Sequence, residues 1–231
     1  EYNRMKRAYL EIFETLGLKP QPVGADSGNI GGSKSEEFMC ISDIGEDNIL
    51  FDEKTGIAFN SELLDKEDAK EYLGKTYGIK ENLKTRKAVE LGHIFQLGDK
   101  YAKTMNATYV DENGKQQYYV MGCYGIGVSR TLAMIYEKSI IRGKNNEFNG
   151  ISLPLNIAPY SVYIIPKLDD NEKTNKSTEV YQLLLEKGIP VLYDDRTELS
   201  IGAKIKDSKI TGTPYVAVFG RTLDQGYVEV E

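Results

Sequence analysis

The sequence predicts an antiparallel α+β domain followed by a three-layer α/β domain. Three observations carry this reading. Two β-rich runs flank Asn113–Gly114, a dipeptide favoured in hairpin turns. The glycine-rich run "MGCYGIGVSR", residues 121–130, leads straight into a helical pattern. Beyond Pro154 and Pro159 the rhythm changes to alternating strands and helices, the pattern of a layered α/β unit. The expected domains are therefore 1–153 and 154–231.

The elements follow in order. Tyr2, Met5, Tyr9, Ile12, Phe13 and Leu16 recur at helical spacing, with Gly17 as a stop and Pro20 beyond. Two Gly-rich loops precede a strand around Phe38–Ile41. Residues 48–51 and 57–59 read as a hairpin turning at Glu53–Gly56. Residues 60–86 are charged and helix-prone, a connector or small insert. Residues 88–97 favour a strand and 98–105 a short helix. Leu132, Ile135 and Tyr136 share one side of a helix over 129–138. In the second domain, strands at 161–166, 190–195, 214–220 and 227–231 alternate with helices at 177–188 and 202–212.

Composition narrows the function classes. The 231 residues carry a formal net charge of −6, so no global positive field draws nucleic acid, and an RNA partner must meet a local patch. Cys40 and Cys123 form no C-x-x-C pair, which argues against a disulfide framework or a structural zinc site. A reducing, cytoplasmic compartment fits. No apolar run is long enough to span a bilayer, and no signal-peptide pattern is present. The chain opens already helical without Met and closes on the strand-like "GYVEVE". Both ends read as cut, so a piece of a longer protein is expected.

The glycines of 121–130 suggest three meanings. A dinucleotide fingerprint needs G-x-G-x-x-G after a parallel strand; Gly125 and Gly127 supply G-x-G, but position 130 is Arg, and the hairpin makes the preceding strand antiparallel. A Walker loop needs G-K-[ST], which is missing. What remains is a strand with one flat face, against which a planar ring can lie. Arg130 follows in the first turn of a helix, with a guanidinium able to stack on a ring and fork onto phosphate. A close-packed corner with a surface arginine remains the alternative.

The same stretch closely resembles motif 3 of the class II aminoacyl-tRNA synthetases. With "AVELGHIFQLGDKY" upstream it resembles the bacterial-type prolyl-tRNA synthetases in particular. "ADSGNIGGSKSEEFM" is similar to the segment after motif 2 in those enzymes. "IAPYSVYIIP", "VLYDDRTELSIGAK" and "KITGTPYVAVFG" resemble their anticodon-binding domain. The segments lie in the family's order. Three features depart from it: motifs 1 and 2, with a phosphate-clamping arginine, are absent; Glu36 stands where the family has His; and only residues 60–86 occupy the place of a large editing domain.

The resemblance implies a partial class II catalytic domain over 1–153 and an anticodon-binding domain over 154–231. It implies ATP-dependent activation of proline to prolyl-adenylate, transfer to tRNA(Pro), Mg²⁺ as cofactor and a homodimer in the intact parent, with no membrane partner. This chain alone is expected to be inactive. Arg130 would stack on adenine and reach the γ-phosphate, as the catalytic cation. Gly125 and Gly127 would floor the nucleotide. Glu90 would face ATP and Mg²⁺, an ion that takes oxygen ligands; its bland alternative is a solvent-facing strand residue. His93 would lie beside ATP and proline, Phe95 would wall the pyrrolidine ring, and Cys123 would line the same pocket; a lone His is also commonly structural. Glu90 cannot share a face with His93 and Phe95 in a regular strand, but a bulge at Gly92 would re-aim it. Asp195, Arg196, Lys204 and Lys209 would meet anticodon bases and phosphates. The other functional class is a non-catalytic, synthetase-derived tRNA-binding or regulatory module.

Overall fold

The computed structural model describes residues 1–52, 57–65 and 84–231. The expected turn at Glu53–Gly56 and most of the 60–86 insert lie outside the described residues. The chain divides into two compact units, Glu1–Met134 and Ile135–Glu231.

In the first unit, helix α1 (Tyr2–Thr15) buries Tyr2, Tyr9 and Phe13. Ile12, on the same apolar series, is 43% exposed. The Tyr9 and Phe13 rings meet Phe38 at centroid distances of 5.1 and 5.8 Å. Burying an aromatic side chain of this size contributes about 1.5–3 kcal/mol. Gly17 ends the helix with φ 76°, a conformation glycine adopts without strain.

The main sheet contains β1 (Gln21–Gly24), β2 (Lys34–Ile41), β3 (Asp47–Phe51), β4 (Ala58–Asn60), β5 (Lys84–Gly98) and β8 (Met121–Ile126). Its pairings run β2-β1-β4-β3-β5, and β5 pairs again with β2, so five strands close a ring. Val23, Met39, Ile49, Ala58 and Ala88, one from each of these strands, form a single buried cluster. All pairings are antiparallel except β1 with β4. β8 lies against the outer half of β5.

Two local expectations are corrected. Strands β6 (Thr108–Val110) and β7 (Gln116–Tyr118) form a separate two-stranded sheet. The glycine strand β8 is therefore antiparallel because it pairs with β5, not because it belongs to the Asn-Gly hairpin. That hairpin also does not use a two-residue turn. Asp111 N–H donates to the Lys115 carbonyl, Asp111 Oδ1 accepts from Asn113 and Lys115 N–H, and only Gly114 has positive φ, at 74°. This is the three-residue loop with glycine in the left-handed position.

Helix α2 (Lys100–Thr104) follows β5, and α3 (Val128–Lys138) follows β8. After the last turn of α3, the second unit contains a hairpin the sequence reading missed, β9 (Ile140–Arg142) with β10 (Phe148–Ile151). Its main sheet has the order β12 (Val191–Tyr193), β11 (Val162–Pro166), β13 (Tyr215–Phe219), β14 (Glu229–Val230). The first three are parallel and β14 is antiparallel. Tyr163, Ile165, Val216 and Val218 pack with Ile201 and Ile205 of α5 (Ile201–Thr211). Ile164, Ala217 and Phe219 pack with Val180 and Leu184 of α4 (Asn171–Glu186). The central strands are covered on both faces, which is why they read as continuous apolar runs. The three layers follow directly. Capping fixes both helix starts: Asp170 accepts from Lys173 N–H and Ser200 from Ala203 N–H.

Candidate functional site

The site of the first unit sits where β5, β8 and the start of α3 meet. β5 is not regular. Phe38 of β2 pairs with Gly92, but the next residue, Met39, pairs with Glu90. Leu91 is thus the extra residue of a β-bulge, one position from where the sequence placed it. The bulge turns Glu90 onto the face that carries His93 and Phe95. Gly92 itself lies against backbone: an added Cβ would stand 2.8 Å from the Gly125 carbonyl oxygen and 3.2 Å from the Tyr9 ring.

Glu90, His93, Gly125, Gly127 and Arg130 line one cavity of about 240 Å³, together with Leu91, Gly92 and Ile126. Gly125 pairs with His93 across the strands, and a Cβ at Gly125 would meet nothing within 4 Å. Gly127 N–H donates to the Leu91 carbonyl at 2.8 Å, tying the start of α3 to the bulge. Arg130 Nη1 donates to Glu90 Oε2 at 2.6 Å, with the guanidinium side chain 56% exposed. His93 stacks on Phe95 with centroids 3.8 Å apart, and Phe95 pairs with half-buried Cys123. Phe95, 6% exposed, and Cys123 thus adjoin His93 but do not line that cavity.

Electrostatics distinguishes the carboxylates. The His93 ring and the Arg130 guanidinium, working against burial, hold Glu90 below the usual carboxylate range. Burial pushes Glu37 up, although Asn60 Nδ2 donates to its Oε2 at 2.9 Å. Asp47 is also raised, by burial and then by Glu90. Glu37 and Asn60 were missed by sequence reasoning. The available signal was alternation: Glu37 flanks core Phe38, so its side chain leaves β2 on the opposite face, directly across from His93.

Glu36, at the family's His position, is 8% exposed. It accepts from Tyr2 Oη at 2.7 Å and Lys6 Nζ at 2.6 Å, and Lys34 Nζ lies 3.4 Å away. Burial alone would raise its pKa, but these donors outweigh it and the value falls. Glu36 fastens α1 to β2. The Gly-rich loop before β2 is held in turn by Lys100 Nζ and Tyr101 Oη, both donating to the Ile30 carbonyl.

In the second unit the four candidate RNA contacts separate. Lys204 is 2% exposed, and its ammonium donates to the Asp194 carbonyl oxygen at 2.9 Å. It serves the fold rather than a surface, because β12 leads Asp194 into the sheet edge above α5. Arg196 grips both carboxylate oxygens of Asp194, at 2.9 and 2.8 Å, and reaches Asp207 at 2.8 Å. Lys209 Nζ donates to Asn149 Oδ1 at 3.1 Å. Asp195 is exposed and lines a cleft of about 620 Å³ with Tyr160, Tyr181 and Tyr193. Arg196 lines a different cavity, of about 750 Å³, at the carboxyl ends of β11 and β13, the edge where open α/β sheets bind ligands.

Comparison with known proteins decides the family. Residues 1–139 match the model for the tRNA synthetase class II core domain (G, H, P, S and T). The chain belongs to the class II tRNA synthetases. Residues 161–231 of this class II chain match an anticodon binding domain. Among curated relatives, the proline–tRNA ligase of Ehrlichia ruminantium (strain Gardel) is 38% identical over 99% of the chain and 54% of the relative. That of Sulfurimonas denitrificans is 35% identical over 100% and 55%. The chain spans about half the length of the curated relatives it matches. A crystal structure of prolyl-tRNA synthetase from Cryptosporidium parvum, complexed with halofuginone and AMPPNP, shares the fold with a TM-score of 0.69 at 19% identity, covering 99% of this chain and 39% of that one. Among the described residues, no helix is long and apolar enough to cross a membrane.

Proposed function

We propose that the chain works as part of a proline–tRNA ligase of bacterial type, activating proline with ATP to prolyl-adenylate and charging tRNA(Pro). The carrying observation is the shared cavity of Glu90, His93, Gly125, Gly127 and Arg130. It joins a flat glycine floor to an exposed guanidinium. Relatives of 35–38% identity carry the name proline–tRNA ligase. Adenylate formation needs positioning and positive charge, not a protein nucleophile, and the cavity supplies those parts.

In this reading Arg130 leaves Glu90 to stack on adenine and meet the γ-phosphate, while Gly125 and Gly127 let the nucleotide approach backbone. Glu90 is held ionised, so its donor type fits Mg²⁺; when bound, that ion neutralises phosphate charge. His93, stacked on Phe95, and Cys123 form the apolar side that takes the pyrrolidine ring. Asp195, Arg196 and Lys209 are the RNA-facing groups of the second unit; Lys204 holds Asp194 instead. A homodimer and a cytoplasmic setting complete the proposal.

Proline-dependent exchange of pyrophosphate into ATP, by the product of the open reading frame carrying this chain, tests it. Exchange should fall about 10²–10³-fold on Arg130→Ala, the usual cost of one charge-stabilising donor. Undiminished exchange in that variant refutes the role of Arg130. Exchange driven equally by other amino acids refutes the substrate, and tRNA binding without any exchange marks a non-catalytic module.

A further inference from the structure

We propose that Glu37, Glu90 and His93 form a binding site for a divalent transition-metal ion of the zinc class, distinct in chemistry from a nucleotide-bound Mg²⁺. One ligand atom from each residue lies within 4.8 Å of the others. His93 Nδ1 stands 3.4 Å from Glu90 Oε1 and 3.6 Å from Glu37 Oε1. Donors at about 2.1 Å from a tetrahedral zinc are separated by about 3.4 Å. Charge-assisted hydrogen bonds would instead draw the ring onto a carboxylate at roughly 2.7–2.9 Å. At 3.4 and 3.6 Å the donors leave room for one ion between them.

Both carboxylates have outer donors, while His93 Nε2 is buried without a hydrogen-bond partner. Each carboxylate is braced through its other oxygen: Asn60 Nδ2 holds Glu37 Oε2 at 2.9 Å, and Arg130 Nη1 holds Glu90 Oε2 at 2.6 Å. Outer donors of this kind fix carboxylate ligands in metal sites. Both Oε1 atoms are thereby left facing His93 Nδ1. The three side chains come from β2 and β5, a rigid platform, and the Leu91 bulge puts Glu90 in place. They are 12%, 27% and 16% exposed, and Glu90 and His93 open onto the cavity. Two carboxylates and an imidazole leave a further position open to water or a ligand. The imidazole is what selects zinc-class ions over Mg²⁺, which takes oxygen donors.

The site goes beyond the nucleotide reading and requires neither ATP nor proline. It has a regulatory consequence: a metal on Glu90 Oε1 keeps Glu90 Oε2 paired with Arg130, which opposes release of that arginine to phosphate.

Cobalt(II) is the probe. Added to the purified protein in a large excess of Mg²⁺, it should give a stoichiometric visible ligand-field absorption, displaced by Zn²⁺. Asn60→Ala should weaken cobalt binding about 10–100-fold, the usual effect of losing an outer-shell partner. Glu37→Gln and the partly exposed His93→Gln should each abolish the absorption while circular dichroism stays native; Glu179→Gln, on α4, should leave it unchanged. No absorption, displacement by Mg²⁺, or an undiminished signal in a folded Glu37→Gln or His93→Gln variant overturns the proposal. Because metal absorption is read without substrate, its failure is distinguishable from failure of the ligase reading.

Discussion

Asp194→Asn decides whether the cations around β12 hold the domain together or are available for RNA. Asp194 is buried, with its side chain 1% exposed. Arg196 first, then Tyr163 and Lys204, against burial, hold it at about 2 instead of the ordinary 3.8. That gap converts to about 2.5 kcal/mol of stability at neutral pH. The folded value is depressed, so the contribution is complete above the unfolded value near 4 and disappears as pH falls toward 2. Asparagine also leaves the ammonium of Lys204, 2% exposed, without its nearby anion. The total cost should approach the roughly 3–5 kcal/mol of breaking a buried pair from one side. Hydrogen exchange of peptides spanning β11 and α5 measures this unit separately from the first. At pH 7 the variant should lose that free energy of protection. The wild type alone should lose about 2 kcal/mol between pH 5 and 2. A variant within about 0.5 kcal/mol of wild type at pH 7, the range of ordinary surface changes, would refute the reasoning, as would equal acid losses in both proteins.

Glu36→Ala should destabilise the first unit by about 1–3 kcal/mol, since it removes the acceptor shared by Tyr2 and Lys6 at a half-buried contact; urea unfolding checks this, and the wild-type advantage should fade as pH drops through the lowered Glu36 value. Gly92→Ala should cost about 1–3 kcal/mol, because its methyl group meets the Gly125 carbonyl and the Tyr9 ring; thermal unfolding checks it. Joint Lys100→Met and Tyr101→Phe substitution removes both donors to Ile30, so limited proteolysis within residues 26–33 should accelerate several-fold with global stability nearly unchanged.

Much of the fold was legible because local signals agreed with tertiary structure. The second unit was clearest: apolar strands covered on both faces and two capped helices define three layers with few alternatives. The β9–β10 hairpin was not legible, because its short strands are mostly exposed and carry little apolar periodicity. Lys204 shows a different limit. On α5 it stands in a row of lysines, and nothing in residue type separates it from exposed Lys206. Burial of its ammonium depends on where β12 delivers the Asp194 carbonyl, a long-range fact of the sheet.

The candidate site shows why residue types alone underdetermine chemistry. Gly125, Gly127 and Arg130 lie close in sequence, so their meeting was readable from one motif. Glu90 and His93 are also close, yet strict alternation would put them on opposite faces. Their contact depends on Leu91 being surplus, and a residue is surplus only relative to a partner strand. That partner, β2, also supplies Glu37, which is why the same feature hid both the bulge and the third ligand. The bulge needs close backbone approach at Gly92, and it fixes α3 through the bond from Gly127 N–H to the Leu91 carbonyl. One extra residue in one strand thus sets the direction of Glu90, the anchor of Arg130 and the opening of the cavity. Changing that register would separate all three without altering a single functional side chain.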